Sequence, residues 1–140
     1  MEPPKNIEIF DSPTSMYWFD ENNVLCSILK KSASPTLQET KDSIEILKKK
    51  LNGEKVCMLI DATYSSETTK EMREFAAIEF TKIIKAMAII SKSPLGIMLA
   101  NIFFRIKKQP YPAKIFSDEK KAKEWLTQFI NIPEKQYLEK

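Results

Sequence analysis

Apolar residues in this chain keep two rhythms, and the rhythms alternate along its length. Between Val24 and Lys30, Val24, Cys26 and Ile28 point one way while Leu25 and Leu29 point the other, the period of a β-strand. An earlier strand is expected within Ile7–Phe10 or Met16–Phe19. The turn residues Glu21-Asn22-Asn23 predict that Met16–Phe19 and Val24–Lys30 form a hairpin. From Leu37 the spacing changes. Leu37, Thr40, Ile44, Leu47 and Leu51 recur at helical intervals with charges between them, and Asn52-Gly53 supplies a left-handed stop.

The second half repeats the exchange. "VCMLID" is apolar without alternation, the pattern of a strand covered on both faces. It runs into the polar stretch "ATYSSETTKEM", where Ser65 or Ser66 can cap a helix with Glu67 in its first turn and Met72, Phe75, Ala76 and Ile83 inside. "KAMAIIS" reads as another buried strand. Ser93 and Pro94 then open a helix over Pro94–Ile106, with proline at the first helical position. "AKIFS" reads as a last strand, and Ser117 is expected to cap a final helix with Ala122, Trp125, Leu126 and Phe129 on its inner face.

Strands alternating with helices imply parallel pairing with helices packed on the sheet. The expectation is an α/β fold: one mixed, mainly parallel sheet of 4–5 strands with about four helices packed on it, forming one domain over 1–140 with its core at about 16–132 and frayed tails.

The helix over Pro94–Ile106 carries more apolar surface than a sheet-covering helix needs. At 100° per residue, Leu95, Met98, Leu99, Ile102 and Ile106 share one face, while Ile97, Ala100 and Phe104 fall on the opposite side. Such a strip, bordered by Asn101, Arg105, Lys107 and Lys108, points to a homodimer or another protein partner, or to a bound apolar ligand. A fold-back of the N-terminal segment, with Met16, Tyr17, Trp18 and Phe19, is the internal alternative.

Composition removes several function classes. The 140 residues include no histidine, two cysteines and two glycines, Gly53 and Gly96. Ser-His-Asp and Cys-His nucleophile systems are therefore excluded, and no Gly-rich phosphate cradle is present. Cys26 and Cys57 sit inside apolar runs and read as small buried thiols; no metal site and no cofactor are expected. The net charge of +3 comes almost wholly from lysine, with Arg73 and Arg105 the arginines, so nucleic acid is not an expected partner. No stretch is long and apolar enough to insert in a bilayer and no signal peptide is recognisable, so the expected compartment is the cytoplasm. Asp61 and the hydroxyls Ser65, Ser66, Thr68 and Thr69 gather at the end of the "VCMLID" strand, where open α/β sheets place their ligands.

This order of elements resembles the STAS domain, the anti-sigma-factor antagonist fold, from about Val24 to Phe129. The segment "KAMAIISKSPLGIMLANIFFRIKKQPYPAKIFSDEKKAKEWL" is similar to an uncharacterised bacterial STAS-like family in its Ser-Pro, its Asn-x-Phe-Phe helix, its proline pair, its Phe-containing strand and its Trp-Leu helix. The resemblance implies a non-enzymatic regulatory or interaction domain. It also implies a phospho-acceptor in a D-S-S-G sequence after the "LID" strand. Here "DATYSSETTKEM" stands in that place without the glycine, which makes Ser65, Ser66 and Thr68 the candidate acceptors. The alternative reading is a carrier holding a small apolar or lipid-like ligand between helix 94–106 and the sheet.

Overall fold

The computed structural model of the protein describes residues 1–31, 36–64, 69–94, 97–98 and 111–130. Six strands form one sheet: β1 (Phe10–Asp11), β2 (Ser15–Phe19), β3 (Leu25–Leu29), β4 (Val56–Asp61), β5 (Ile84–Ile90) and β6 (Ala113–Phe116). They lie side by side in chain order. β1–β2 and β2–β3 pair antiparallel, while β3–β4, β4–β5 and β5–β6 pair parallel. Three helices are complete among the described residues: α1 (Leu37–Leu51), α2 (Lys70–Ile83) and α3 (Glu119–Ile130). The sheet thus has one strand more than expected: Met16–Phe19 lies in β2 as one alternative had it, and a short strand precedes it at Phe10–Asp11, while Ile7–Ile9 are not in a strand. The extra strand is the two-residue β1, held by stacking of Phe10 on Tyr17 at 5.3 Å.

Local chemistry explains each element's ends. Asp20 Oδ1 accepts the amides of Asn22 and Val24, both at 2.9 Å, and Asn23 takes a left-handed φ of 60°, so the β2–β3 turn closes. Thr36 caps α1 in a capping box: its hydroxyl accepts the Glu39 amide, and Glu39 accepts the Thr36 amide in return. Asn52, with φ 52°, and Gly53, with φ 83°, end the helix as the sequence predicts.

Two helix caps differ from expectation. α2 is capped by Thr69, whose hydroxyl accepts the Met72 amide at 3.2 Å, and Glu71 supplies the first-turn acid. The chain leaving β4 spends Ala62–Tyr64 on a turn, so the helix starts later than a cap at Ser65 or Ser66 requires. Those two serines lie outside the described residues, as do Glu67 and Thr68. At α3 the cap is Asp118 rather than Ser117. Asp118 carbonyl accepts the Ala122 amide at 3.1 Å and its carboxylate accepts the Lys120 amide at 2.9 Å.

The sheet is buried on both faces, each by a distinct cluster. Parallel strands that follow one another in order, joined by right-handed crossovers, place their connecting helices on one face. α1 and α2 accordingly cover Leu25, Val56, Met58, Ile84 and Met87. α3, which follows the last strand, folds back on the other face, where Ala122 and Leu126 pack on Cys26, Cys57, Leu59, Ala86 and Ala88. Met1, Ile7 and Ile9 pack on this second face too. Met16–Phe19 are built into β2.

Candidate functional site

The C-terminal edge of the parallel strands is where the sequence placed its candidate residues, and the described part of that edge is closely tied together. Asp61 ends β4 and is 8% exposed. Its Oδ1 accepts the Thr63 amide at 3.1 Å and the Thr63 hydroxyl at 2.7 Å, and its Oδ2 meets the α-ammonium of Met1 at 3.2 Å. Burial pushes the Asp61 carboxyl upward, but the two Thr63 hydrogen bonds and the ammonium outweigh it, so the carboxyl is held below its ordinary range. An ionised carboxylate with committed oxygens suits a turn anchor. A general base poised near neutrality needs the opposite shift.

Thr63 extends the network sideways. Its hydroxyl oxygen accepts the Lys92 amide at 3.4 Å, beyond the end of β5. The Ala62 amide donates to the Ile90 carbonyl at 2.8 Å, and Ser91, fully buried, holds the next turn through Ser93. The exits of β4 and β5 are therefore laced into one rigid corner. From this corner Tyr64 projects into solvent, 52% exposed, with Lys31 Nζ 5.9 Å from its ring centre.

Of the expected contact strip, Ala100 and Phe104 lie outside the described residues. Pro94, Ile97 and Met98 are helical, and the Ile97 amide donates to the Ser93 carbonyl at 3.0 Å. Ile97 is half-buried, whereas Met98, which the helical projection assigned to the core face, is 50% exposed. The rotation of a helix about its axis is set by how the chain leaves β5 through Ser91–Ser93, and a projection of spacing alone does not contain that.

Cys26 and Cys57 are free and buried on the α3 face. Burial pushes their thiols up, to about 12 and about 11. Among the described residues no group of three or more potential ligands could hold a metal ion, and no helix is long and apolar enough to cross a membrane. Sequence reasoning missed Thr63, and it placed Thr69 among the strand-end hydroxyls without assigning it the α2 cap. The signals were present: Asp-x-Thr is an Asx-turn spacing, and a threonine ahead of the apolar period is a cap.

Comparison with known proteins places this geometry. Residues 17–130 match the family described as "Domain of unknown function (DUF7793)". A solved structure of a DUF3478-family protein with a SpoIIAA-like fold from Shewanella loihica PV-4 is similar with a TM-score of 0.57 and 20% identity, covering 90% of this chain and 98% of that one. A protein of unknown function from Arthrobacter sp. FB24 aligns at 23% identity over 80% of this chain and 92% of its own, with a TM-score of 0.29. No curated protein matches. The fold is thus SpoIIAA-like, the fold of the STAS resemblance.

Proposed function

The chain belongs to the DUF7793 family, and on that premise we propose that it is a non-enzymatic regulatory and protein-interaction domain, switched by phosphorylation in the loop after β4. The observation that carries this reading is the laced corner at the C-terminal edge. Asp61, Thr63 and Lys92 hold the chain rigid up to Tyr64, and Thr69 starts α2. Between these two fixed points the chain carries Ser65, Ser66 and Thr68. A phosphate there adds charge to the chain between Tyr64 and the start of α2, and phosphate near a helix start can recast a docking surface. The SpoIIAA-like fold supports the reading.

The partner contact in this reading is the segment after β5. By sequence spacing Ile97, Ala100 and Phe104 make its apolar strip, and Met98, also in this segment, is exposed; the partner is a second copy of the chain or another protein. Two measurements test the proposal. Phosphopeptide mapping of protein from its native cells should find modification between Thr63 and Thr69; unmodified peptides across growth and stress conditions count against the switch. Light scattering should show a dimer that Phe104→Glu converts to monomer. A monomeric wild type, or a variant that stays dimeric, removes the self-association.

A further inference from the structure

On the α3 face a cleft of about 200 Å³ opens between the first residues of the chain, the β2–β3 turn and α3. Its floor is Trp18, Val24, Cys26, Leu126 and Ile130. Its rim carries four carboxylates, Glu2, Asp20, Glu21 and Glu119, against the Lys123 ammonium; Met1 lines the cleft too, with its α-ammonium paired to Asp61. The contrast with the chain as a whole, which bears a net charge of +3, is plain. Asp20 is occupied by turn amides, and Lys123 lies 3.8 Å from Glu119, whereas Glu2 and Glu21 are exposed.

The field of this rim reaches the floor. Burial is the first cause of the raised Cys26 thiol, but Asp20, Glu119 and Glu21 each push it further up, against Lys123. The same carboxylates favour a cation at the rim, whereas burial disfavours any charge on the floor itself. The volume sets the size of that cation. Sites for drug-sized ligands occupy roughly 300–1,000 Å³, and this cleft holds roughly six water-sized groups at about 30 Å³ each. An apolar floor with an indole and an acidic rim asks for a short hydrocarbon stem ending in a positive charge.

We propose that the cleft binds a small primary alkylammonium ion, its stem on Trp18, Val24 and Leu126 and its charge among Glu2, Glu21 and Glu119. The proposal uses none of the hydroxyls after β4 and does not depend on phosphorylation there. The test is a nuclear magnetic resonance titration of the whole protein with n-butylammonium chloride at low salt, with n-butanol and butyrate as neutral and anionic matches. Saturable shifts are expected at the Trp18 indole, Val24 and Thr127, with Trp125 as the unmoved internal reference. The Glu2→Gln/Glu21→Gln double variant replaces two exposed carboxylates, and its spectrum reports directly whether the fold is intact. It should weaken binding about 1.5- to 5-fold per carboxylate, and about 0.5 M salt should weaken the wild type as well. The proposal is overturned if n-butylammonium gives no saturable shift, if n-butanol shifts the same residues equally, or if a folded double variant binds as tightly as the wild type.

Discussion

Replacing Asp61 by alanine should destabilise the protein by about 2–4 kcal/mol at neutral pH. The side chain accepts three hydrogen bonds, two from Thr63 and one from the α-ammonium of Met1, and it is 11% exposed. Net values for hydrogen bonds to a charged group run about 1.5–3 kcal/mol each. The Thr63 hydroxyl and the ammonium can recover part of that from solvent, which brings the sum to the lower range. At a urea slope of about 2 kcal/mol/M, the unfolding midpoint should fall by about 1–2 M. Asp61→Asn keeps an oxygen for Thr63 and loses the charge, so it should fall between the two.

The pH dependence separates a charge effect from simple loss of packing. The folded carboxyl titrates below its ordinary value of 3.8, so the folded chain takes up the proton less readily than the unfolded one. The stabilisation is therefore complete above the unfolded pKa and is lost as pH falls through the folded pKa. The gap between wild type and Asp61→Asn should be constant from about pH 7 to about pH 5 and should close on further acidification. Urea unfolding followed by tryptophan fluorescence measures both variants. A wild-type midpoint in Asp61→Ala, or a gap to Asp61→Asn that persists undiminished in acid, would refute the assignment of Asp61 as an ionised anchor.

Three further outcomes follow from packing and capping. Leu126→Ala, at a 1% exposed position on α3, should cost about 2–5 kcal/mol in the same assay, whereas Ile78→Ala, at a 60% exposed position, should stay within about 0.5 kcal/mol. Thr36→Ala removes the hydroxyl of the α1 capping box and should cost about 1 kcal/mol, seen as a lower thermal midpoint. Cys26 and Cys57 should resist a thiol reagent such as dithionitrobenzoate in the native state, since burial raises both thiols; they should react on unfolding in urea, and rapid native labelling of either would contradict its burial.

Much of the fold was legible from local pattern. The alternation of Val24–Leu29 assigned those side chains to opposite faces correctly, because a strand's geometry forces successive residues apart whatever surrounds it. The apolar runs Val56–Ile60 and Lys85–Ser91 marked central strands, the second observed one residue earlier as Ile84–Ile90, and the Asn52-Gly53 stop ended α1 where a left-handed residue had to. Candidate chemistry was legible only as composition. The lack of histidine and of glycine-rich loops removed mechanisms, yet no motif said which hydroxyl mattered.

What the sequence determined by itself is therefore the kind and order of its elements, since those depend on side-chain periodicity and on residues that start or stop a helix. Tertiary structure decided how they share space. Strands in unbroken order, with crossovers of one hand, put α1 and α2 together and left α3 with the first residues of the chain on the opposite face. Only that arrangement gathers Trp18, Glu21 and Glu119 around one cleft, although they stand far apart in the chain. It likewise brings Thr63 against Lys92, and it turns Met98 outward where helical spacing alone had turned it in. These are relations between segments, fixed by sheet pairing and by how each helix enters its layer.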